Sequence, residues 1–373
     1  MILFVHHRYR TAGGEERAVD DFLGIVRDRL GEPAELLARD SSDVGPAQAA
    51  AGLLAGGLRP GEVADAVRRT GARVVHAHNV HPTFGWRALA AARRAGAGVV
   101  LHLHNYRLVC AVGTCHTRGA DCARCHGLDT TPGLRLACRG SRAEAAAYAA
   151  GIALAQRRLV ALADRIVVPS DFALDRLRAL GAPLDPGRVD VLPPPVAADD
   201  GPSAAASGRY ALVAGRLAPE KGVELAIDAC AAAGVPLVVA GDGPAAAALR
   251  RRAAATGAEV RFHGPATRAE LRRLRAGAAL ALVPSRAAET FGLAAAEAMA
   301  AGVPVLVSGA GALPSVAGDD AVVAGADPAA WADAITRRYG DAAAGDRGRD
   351  RIATRCEPGA VGARLAAIYA AAG

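Results

Sequence analysis

Aromatic side chains are scarce in this chain: Phe, Trp and Tyr together make up 4% of its 373 residues. Proteins that hold single-stranded nucleic acid stack its bases on such rings, so that class is disfavoured and no nucleic-acid partner is expected. No stretch approaches the roughly 20 consecutive apolar residues of a membrane-spanning helix. The opening Met1-Ile2-Leu3-Phe4-Val5-His6-His7 is too short for the apolar segment of a secretory signal. A cytoplasmic protein is the expectation. Cysteine is also sparing: of seven, five fall between Cys110 and Cys138, a distribution unlike the disulfide frameworks of small secreted domains. Acidic residues are in deficit, 37 Asp and Glu against 44 Lys and Arg, for a net charge of +7. The arginines are scattered rather than blocked, so charge alone does not choose among nucleic acid, an anionic membrane surface and small anionic ligands. A peripheral membrane contact is compatible with it.

What the chain does have is apolar content, 52% of its residues, spread over a length that suits two α/β domains better than one core. Short β-rich runs alternate with Ala/Leu/Arg helical patterns, as in doubly wound parallel sheets. The first series of strands is expected at 2–5, 74–77, 99–103, 165–168 and 189–191, and a second at 210–214, 236–240, 259–262, 279–283 and 303–307. Between them stand Pro193-Pro194-Pro195 and the turn-rich residues 196–203, which read as an interdomain linker. Ala-rich tracts such as 143–147 and 253–255 are small-residue helix faces.

The segment that speaks most directly to chemistry is Glu289-Thr290-Phe291-Gly292-Leu293-Ala294-Ala295-Ala296-Glu297, two carboxylates with seven residues between them after the apolar run 279–283. It reads as strand, loop, helix, with Glu289 in the loop and Glu297 inside the helix. A carboxylate so placed can accept from two neighbouring hydroxyls at once, as a ribose or sugar ring presents them. The pattern, continued by Ala298-Met299-Ala300-Ala301-Gly302-Val303-Pro304-Val305, resembles the paired-glutamate signature of family 4 retaining glycosyltransferases. That resemblance implies the GT-B fold: α/β, two Rossmann-like doubly wound domains facing a central cleft. It also implies a donor site that includes Glu289, Thr290, Phe291, Gly292, Leu293 and Glu297.

Upstream, Gly215-Arg216-Leu217-Ala218-Pro219-Glu220-Lys221-Gly222 ends a strand and precedes a helix. Arg offers a bidentate fork to phosphate oxygens and Lys a mobile point charge, although an isolated pair of this kind is ordinarily a solvated turn. In the resemblance, Arg216 and Lys221 hold the donor pyrophosphate and stabilise the departing nucleoside diphosphate. Gly241-Asp242-Gly243-Pro244 has a rival meaning, since Gly241-x-Gly243-x-x-Ala246 fits a dinucleotide fingerprint. That fingerprint normally opens the first βα unit and wants an acid at the end of the next strand, whereas Glu259 stands at its start. The family has a similar Gly-Asp-Gly-Pro turn, and His263 would then lie near the nucleotide base. In the first half, Thr11-Ala12-Gly13-Gly14-Glu15-Glu16-Arg17 follows the first strand. Gly13 and Gly14 resemble the family's glycine-rich loop and could let backbone N–H groups approach a ligand at a helix N-terminus, or simply form a tight turn. His104-Asn105-Tyr106-Arg107-Leu108-Val109-Cys110 stands at the carboxyl end of a strand, where open α/β sheets place ligands. It looks like a run in a family subgroup whose histidine faces the donor sugar and β-phosphate, so His104 is singled out for positioning. His76, His78, His81 and His102 are read first as structural.

Cys122-Ala123-Arg124-Cys125 forms a knuckle-like pair, which Cys110 and Cys138 could complete as a four-thiolate structural zinc site. Reduced buried thiols or an oxidised pair are the alternatives, and Cys115 falls outside the subgroup's pattern. No Asp-x-Asp occurs in the chain, in keeping with the metal-independent transfer that the resemblance implies. Residues 1–195 are therefore expected to form an acceptor-binding domain with a cysteine-rich insertion at 105–140. Residues 196–355 should bind a nucleoside diphosphate sugar, and 356–373 should form a helix crossing back to the first domain. Catalysis is assigned to His104, Arg216, Lys221 and Glu289. The expected function is transfer of a sugar to a hydroxyl acceptor, whether glycan, lipid-linked sugar or small natural product, with no cofactor required. The rival readings are a nucleotide-sugar epimerase, a dehydrogenase or a nucleotide-binding protein without turnover.

Overall fold

Two parallel sheets organise the chain in the computed structural model, which describes residues 1–9 and 13–373. The first unit comprises Met1–Pro195 and Pro358–Gly373, the second Val196–Glu357. In the first, the strands are β1 (Ile2–Arg8), β2 (Ala34–Asp40), β3 (Val74–Ala77) and β4 (Gly98–His102). A small antiparallel hairpin of β5 (His116–Thr117) and β6 (Ala120–Asp121) follows, then β7 (Arg165–Val168) and β8 (Val189–Val191). The main sheet runs β2-β1-β3-β4-β7-β8. All its neighbouring strands are parallel.

The second unit contains β9 (Tyr210–Ala214), β10 (Leu237–Ala240), β11 (Val260–Gly264), β12 (Ala278–Val283), β13 (Val305–Ser308) and β14 (Val322–Val323), in the order β11-β10-β9-β12-β13-β14. The order reverses between β9 and β12, the kind of position at which open α/β sheets place ligands beyond their carboxyl ends. Central strands are apolar on both faces because helices cover both. Leu212, Val238 and Ala281 pack into one cluster, and Ala211, Val239 and Leu280 into another.

The two-residue strands β5, β6 and β14 lie outside the sequence expectation, as do β2 and residues 196–203. β2 was not anticipated because Ala-Glu-Leu-Leu-Ala-Arg-Asp has no clean apolar run; it is an edge strand and mostly half-buried. Residues 196–203 are not a free linker. Val196 is buried in the second unit's core and donates its N–H to the Cys356 carbonyl at 2.9 Å, Asp199 N donates to Ala300 O at 2.9 Å, and Ser203 N to Asp346 Oδ1 at 2.8 Å. Their polar turn composition suits hydrogen bonding to a surface as well as it suits a tether. The terminal helix Pro358–Ala372 lies in the first unit, burying Val361, Leu365, Ile368 and Tyr369 against Ile2, Phe4 and Phe22.

Candidate active site

In the second unit the loops after β9 and β12 are fastened together by backbone. The carbonyl of Glu220 accepts from the N–H groups of Arg286 and Ala287 at 2.8 and 3.2 Å, and from Ser285 Oγ at 3.3 Å. This brings Lys221 to Glu289: Nζ donates to Oε1 at 2.6 Å, and Ser285 Oγ donates to the same oxygen at 2.7 Å. Burial works against the Glu289 charge, but the Lys221 ammonium and the Ser285 hydroxyl more than offset it and hold the carboxyl below its usual range. Arg216 pairs with Glu220. Glu297 lies inside the helix Leu293–Ala300, whose N-cap is Gly292, and pairs with Arg275, a buried side chain from the helix Arg268–Ala276.

The loop after β13 closes over this cluster. Ser308 Oγ donates to Ser285 O at 2.6 Å, and Ala312 N to Glu289 O at 2.8 Å. The glycines of the 241–243 turn are explained by packing. A Cβ on Gly243 would stand 2.9 Å from the Leu217 backbone nitrogen and carbonyl carbon, and Leu217 N donates to Asp242 O at 2.9 Å. The turn is thus zipped to the Arg216 loop, which accounts for both glycines without a dinucleotide. His263 on β11 has a buried Nδ1 with no hydrogen-bond partner among the described residues. Thr290, Phe291 and Leu293 follow Glu289 into the helix, with Phe291 buried in the core beneath.

The first unit carries a separate polar cluster at the carboxyl end of its sheet. Thr11 and Ala12 lie outside the described residues; Gly13 and Gly14 open the helix Gly14–Gly24. The Gly13 N–H, expected to face a ligand, donates to Glu16 Oε2 at 2.8 Å, and Tyr9 N donates to Oε1 at 3.0 Å. The helix start is therefore satisfied by its own carboxylate. Beside it, Arg107 Nη1 donates to Tyr9 Oη at 2.8 Å, Tyr9 Oη to Glu15 Oε2 at 3.1 Å, and Asn105 Nδ2 to Glu15 Oε2 at 3.0 Å. Burial pushes the Glu15 carboxyl upward, with Arg107 and Asn105 partly opposing it.

His104 adjoins this cluster. Its Nε2 lies 2.7 Å from His78 Nδ1, and its ring stacks on His102 at 4.1 Å between centroids. Burial lowers it to about 3, so the neutral imidazole is the resting form and a general base of ordinary strength is absent there. Behind it, His76, His78 and His102 are buried as expected. His76 Nδ1 meets Tyr369 Oη at 2.8 Å, and its Nε2 meets His102 Nδ1 at 3.3 Å. Among the described residues these three form the group of metal-capable side chains whose ligand atoms all lie within 4.8 Å of one another. Burial holds all three imidazoles neutral, and the contacts among them describe a packed polar layer.

The four cysteines expected to bind zinc, Cys110, Cys122, Cys125 and Cys138, line one pocket, but no three of their sulfurs form such a close group among the described residues. Cys115, left out of that set, lines the same pocket.

Sequence reasoning named the cations and acids of the second unit but gave no role to Ser285, Glu220 or Arg275. Glu220 lies inside the Gly215–Gly222 segment, and Ser285 two residues beyond the apolar run 279–283. Arg275 carried no signal, because a helix reading Arg-Ala-Glu-Leu-Arg-Arg-Leu-Arg-Ala looks like a solvated face. Tyr9, Glu15, Asn105 and Arg107 likewise acquire a common purpose only through the fold.

Comparison with known proteins bears on the family and the fold. A family model described as glycosyl transferase 4-like domain matches residues 11–195, and one described as glycosyl transferases group 1 matches residues 201–347. D-inositol 3-phosphate glycosyltransferases of Mycobacterium bovis and Mycobacterium tuberculosis are 35% identical over 218 residues, 52% of this chain. The match spans only 44% of those relatives' own length. Anabaena HepE, solved with UDP and glucose, has a TM-score of 0.68 at 17% identity over 99% of both chains. Sucrose-phosphate synthase from Thermosynechococcus elongatus has a TM-score of 0.71 at 20% identity, over 99% of this chain and 98% of its own. These two likenesses show the fold, two parallel-sheet α/β domains of the GT-B type. With one glycosyltransferase model on each unit and the same architecture throughout, the chain belongs to the GT4-type glycosyltransferases.

Proposed function

We propose that this protein transfers a glycosyl group from a nucleoside diphosphate sugar to a hydroxyl acceptor, with retention at the anomeric carbon and without a divalent metal in the transfer step. The observation that carries the reading is the Lys221–Glu289–Ser285 cluster, with Arg216 alongside, at the point where the second sheet reverses its strand order. Its cations pair with Glu220 and Glu289. A pyrophosphate offers them a more highly charged partner, and releases the Glu289 carboxylate to accept sugar hydroxyls. Glu297, held by Arg275, would accept from the ribose diol, and His263 Nδ1 would meet the base.

In the transfer itself the bond from the anomeric carbon to the β-phosphate oxygen breaks and one to the acceptor oxygen forms. The acceptor's proton passes to the departing phosphate on the same face. Arg216 and Lys221 stabilise the charge that develops there, so catalysis is placement plus electrostatics. No side chain is assigned as a nucleophile. The first unit would hold the acceptor, using the Tyr9, Glu15, Asn105 and Arg107 cluster, with His104 as a neutral polar contact. The relatives act on an inositol phosphate and on sugars bearing UDP, which favours UDP as the first nucleotide to test and a polyhydroxylated acceptor.

Calorimetric titration with UDP, GDP and ADP, with and without EDTA, tests this. Saturable, EDTA-insensitive binding of one diphosphate, followed by acceptor-dependent release of that diphosphate from its sugar, is the expected result. Conversion of the sugar nucleotide without an acceptor would favour an epimerase instead, and binding of none would remove the reading.

A further inference from the structure

The excursion between β4 and the helix Arg142–Leu162 concentrates soft ligands that the transfer reaction does not use. Cys110, Cys115, Cys122, Cys125 and Cys138 line one pocket together with His116. None is in a disulfide. The Cys125 sulfur lies 4.0 Å from the Thr130 carbonyl oxygen, and the Cys138 sulfur 3.7 Å from Thr117 Oγ1 on the β5–β6 hairpin. That hairpin sets Cys115 and Cys122 side by side, with Cys122 N donating to Cys115 O at 2.8 Å. The Nε2 of His116 is buried with no hydrogen-bond partner among the described residues.

Sulfur and imidazole nitrogen gathered around one small pocket are the donor set that soft divalent cations prefer. A disulfide would use only two of the five sulfurs. The excursion also has few large apolar side chains of its own, and segments so poor in core are commonly held by a staple.

We propose that this pocket is a thiolate site for a soft divalent cation such as zinc, held by Cys110, Cys125 and Cys138 with a fourth sulfur from the hairpin, Cys115 or Cys122. The sulfurs stand further apart than a tetrahedral ion keeps them, so binding draws the excursion inward. The site fixes the turn that follows His104 and takes no part in the transfer chemistry.

The test is metal content and metal titration of the full chain, read independently of turnover. Elemental analysis is expected to find one zinc per chain. Cobalt added after chelation should give the charge-transfer and visible bands of tetrahedral thiolate coordination. Zinc should shield Cys110, Cys125, Cys138 and one of Cys115 and Cys122 from alkylation, mapped by mass spectrometry, and slow hydrogen exchange across residues 105–140. Cys110→Ser and Cys125→Ser should each weaken zinc binding by at least about ten-fold. So should the double variant Cys115→Ser/Cys122→Ser, and its two single variants then identify the fourth ligand. The alkylation and cobalt measurements on the unaltered chain stand even where a variant does not fold. A chain that takes up no stoichiometric zinc, cobalt spectra without thiolate bands, or a native Cys110–Cys115 disulfide would each overturn the proposal.

Discussion

Gly311→Ala offers a sharp perturbation because it acts on the candidate site without touching any of its side chains. Gly311 lies in the loop after β13 with φ +67°, and a Cβ there would overlap the amide nitrogen and carbonyl oxygen of Glu289 and stand 2.6 Å from the Ala288 carbonyl carbon. These are backbone atoms, so no rotamer change relieves the overlap. The left-handed conformation costs a residue with a Cβ about 1–2 kcal/mol, and overpacking of this kind about 1–3 kcal/mol. Together they destabilise the second unit by about 2–5 kcal/mol. At about 2–4 °C per kcal/mol for a unit of this size, its melting temperature falls by roughly 4–20 °C. Moving the Glu289 backbone by about 1 Å should also reduce turnover by about 100-fold in the molecules that remain folded. Gly309→Ala, in the same loop, is the control: its Cβ meets nothing nearer than Val322 Cγ1 at 3.9 Å, and it should behave as the unaltered chain. Differential scanning calorimetry and a diphosphate-release assay below the transition report the two effects separately. An unchanged melting temperature would refute the steric reasoning. A lowered one with full turnover would remove Glu289 from the reaction.

Lys221→Met should lower kcat/KM by about 10²–10³-fold, the range for losing one preorganised charge contact, while circular dichroism reports an intact fold; full activity would mean that the pyrophosphate is held elsewhere. Glu297→Ala removes a carboxylate from the buried Arg275 and should cost about 2–4 kcal/mol by urea titration. The double variant Arg275→Leu/Glu297→Ala should recover part of that, and failure of recovery would mean that the pair is not the source of the loss. On acidification the first unit should weaken before the second. Burial lowers His76, His81 and His104 to about 3 and His7 to about 4, whereas unfolded imidazoles protonate near pH 6.5. The unfolded state therefore binds more protons below that pH. This stability is complete above about pH 6.5 and is lost as pH falls towards the folded values, by about 1.4 kcal/mol per pH unit for each histidine. The depressed Glu289 carboxyl contributes stability that fades only below its ordinary range near 4.5. Hydrogen exchange resolved by unit at pH 5 checks the order, and earlier loss of the second unit would contradict it.

The sequence by itself determined the alternation of strands and helices, because β10, β12 and β13 are short apolar runs bounded by turns and nothing tertiary is needed to recognise them. It also marked Arg216, Lys221, Glu289 and Glu297, through the resemblance of their flanking residues to the family 4 pattern, since their spacing alone would read as solvated surface. What lay beyond a local window was decided only by the fold. β2 is a strand because β1 offers it an edge, despite its charged composition. Residues 196–203 look like a tether and are hydrogen-bonded to the second unit instead. Arg275 reaches Glu297 across two helices. Ser285 gains its role from the Glu220 carbonyl on a neighbouring loop. Cys115, five residues from Cys110 and outside any knuckle spacing, lines the same pocket with it only because a turn and a hairpin bring it there. Each of these depends on partners distant in the chain, whose meeting is set by which strands lie side by side, and strand order in a sheet is a property of packing that no local run of residues encodes.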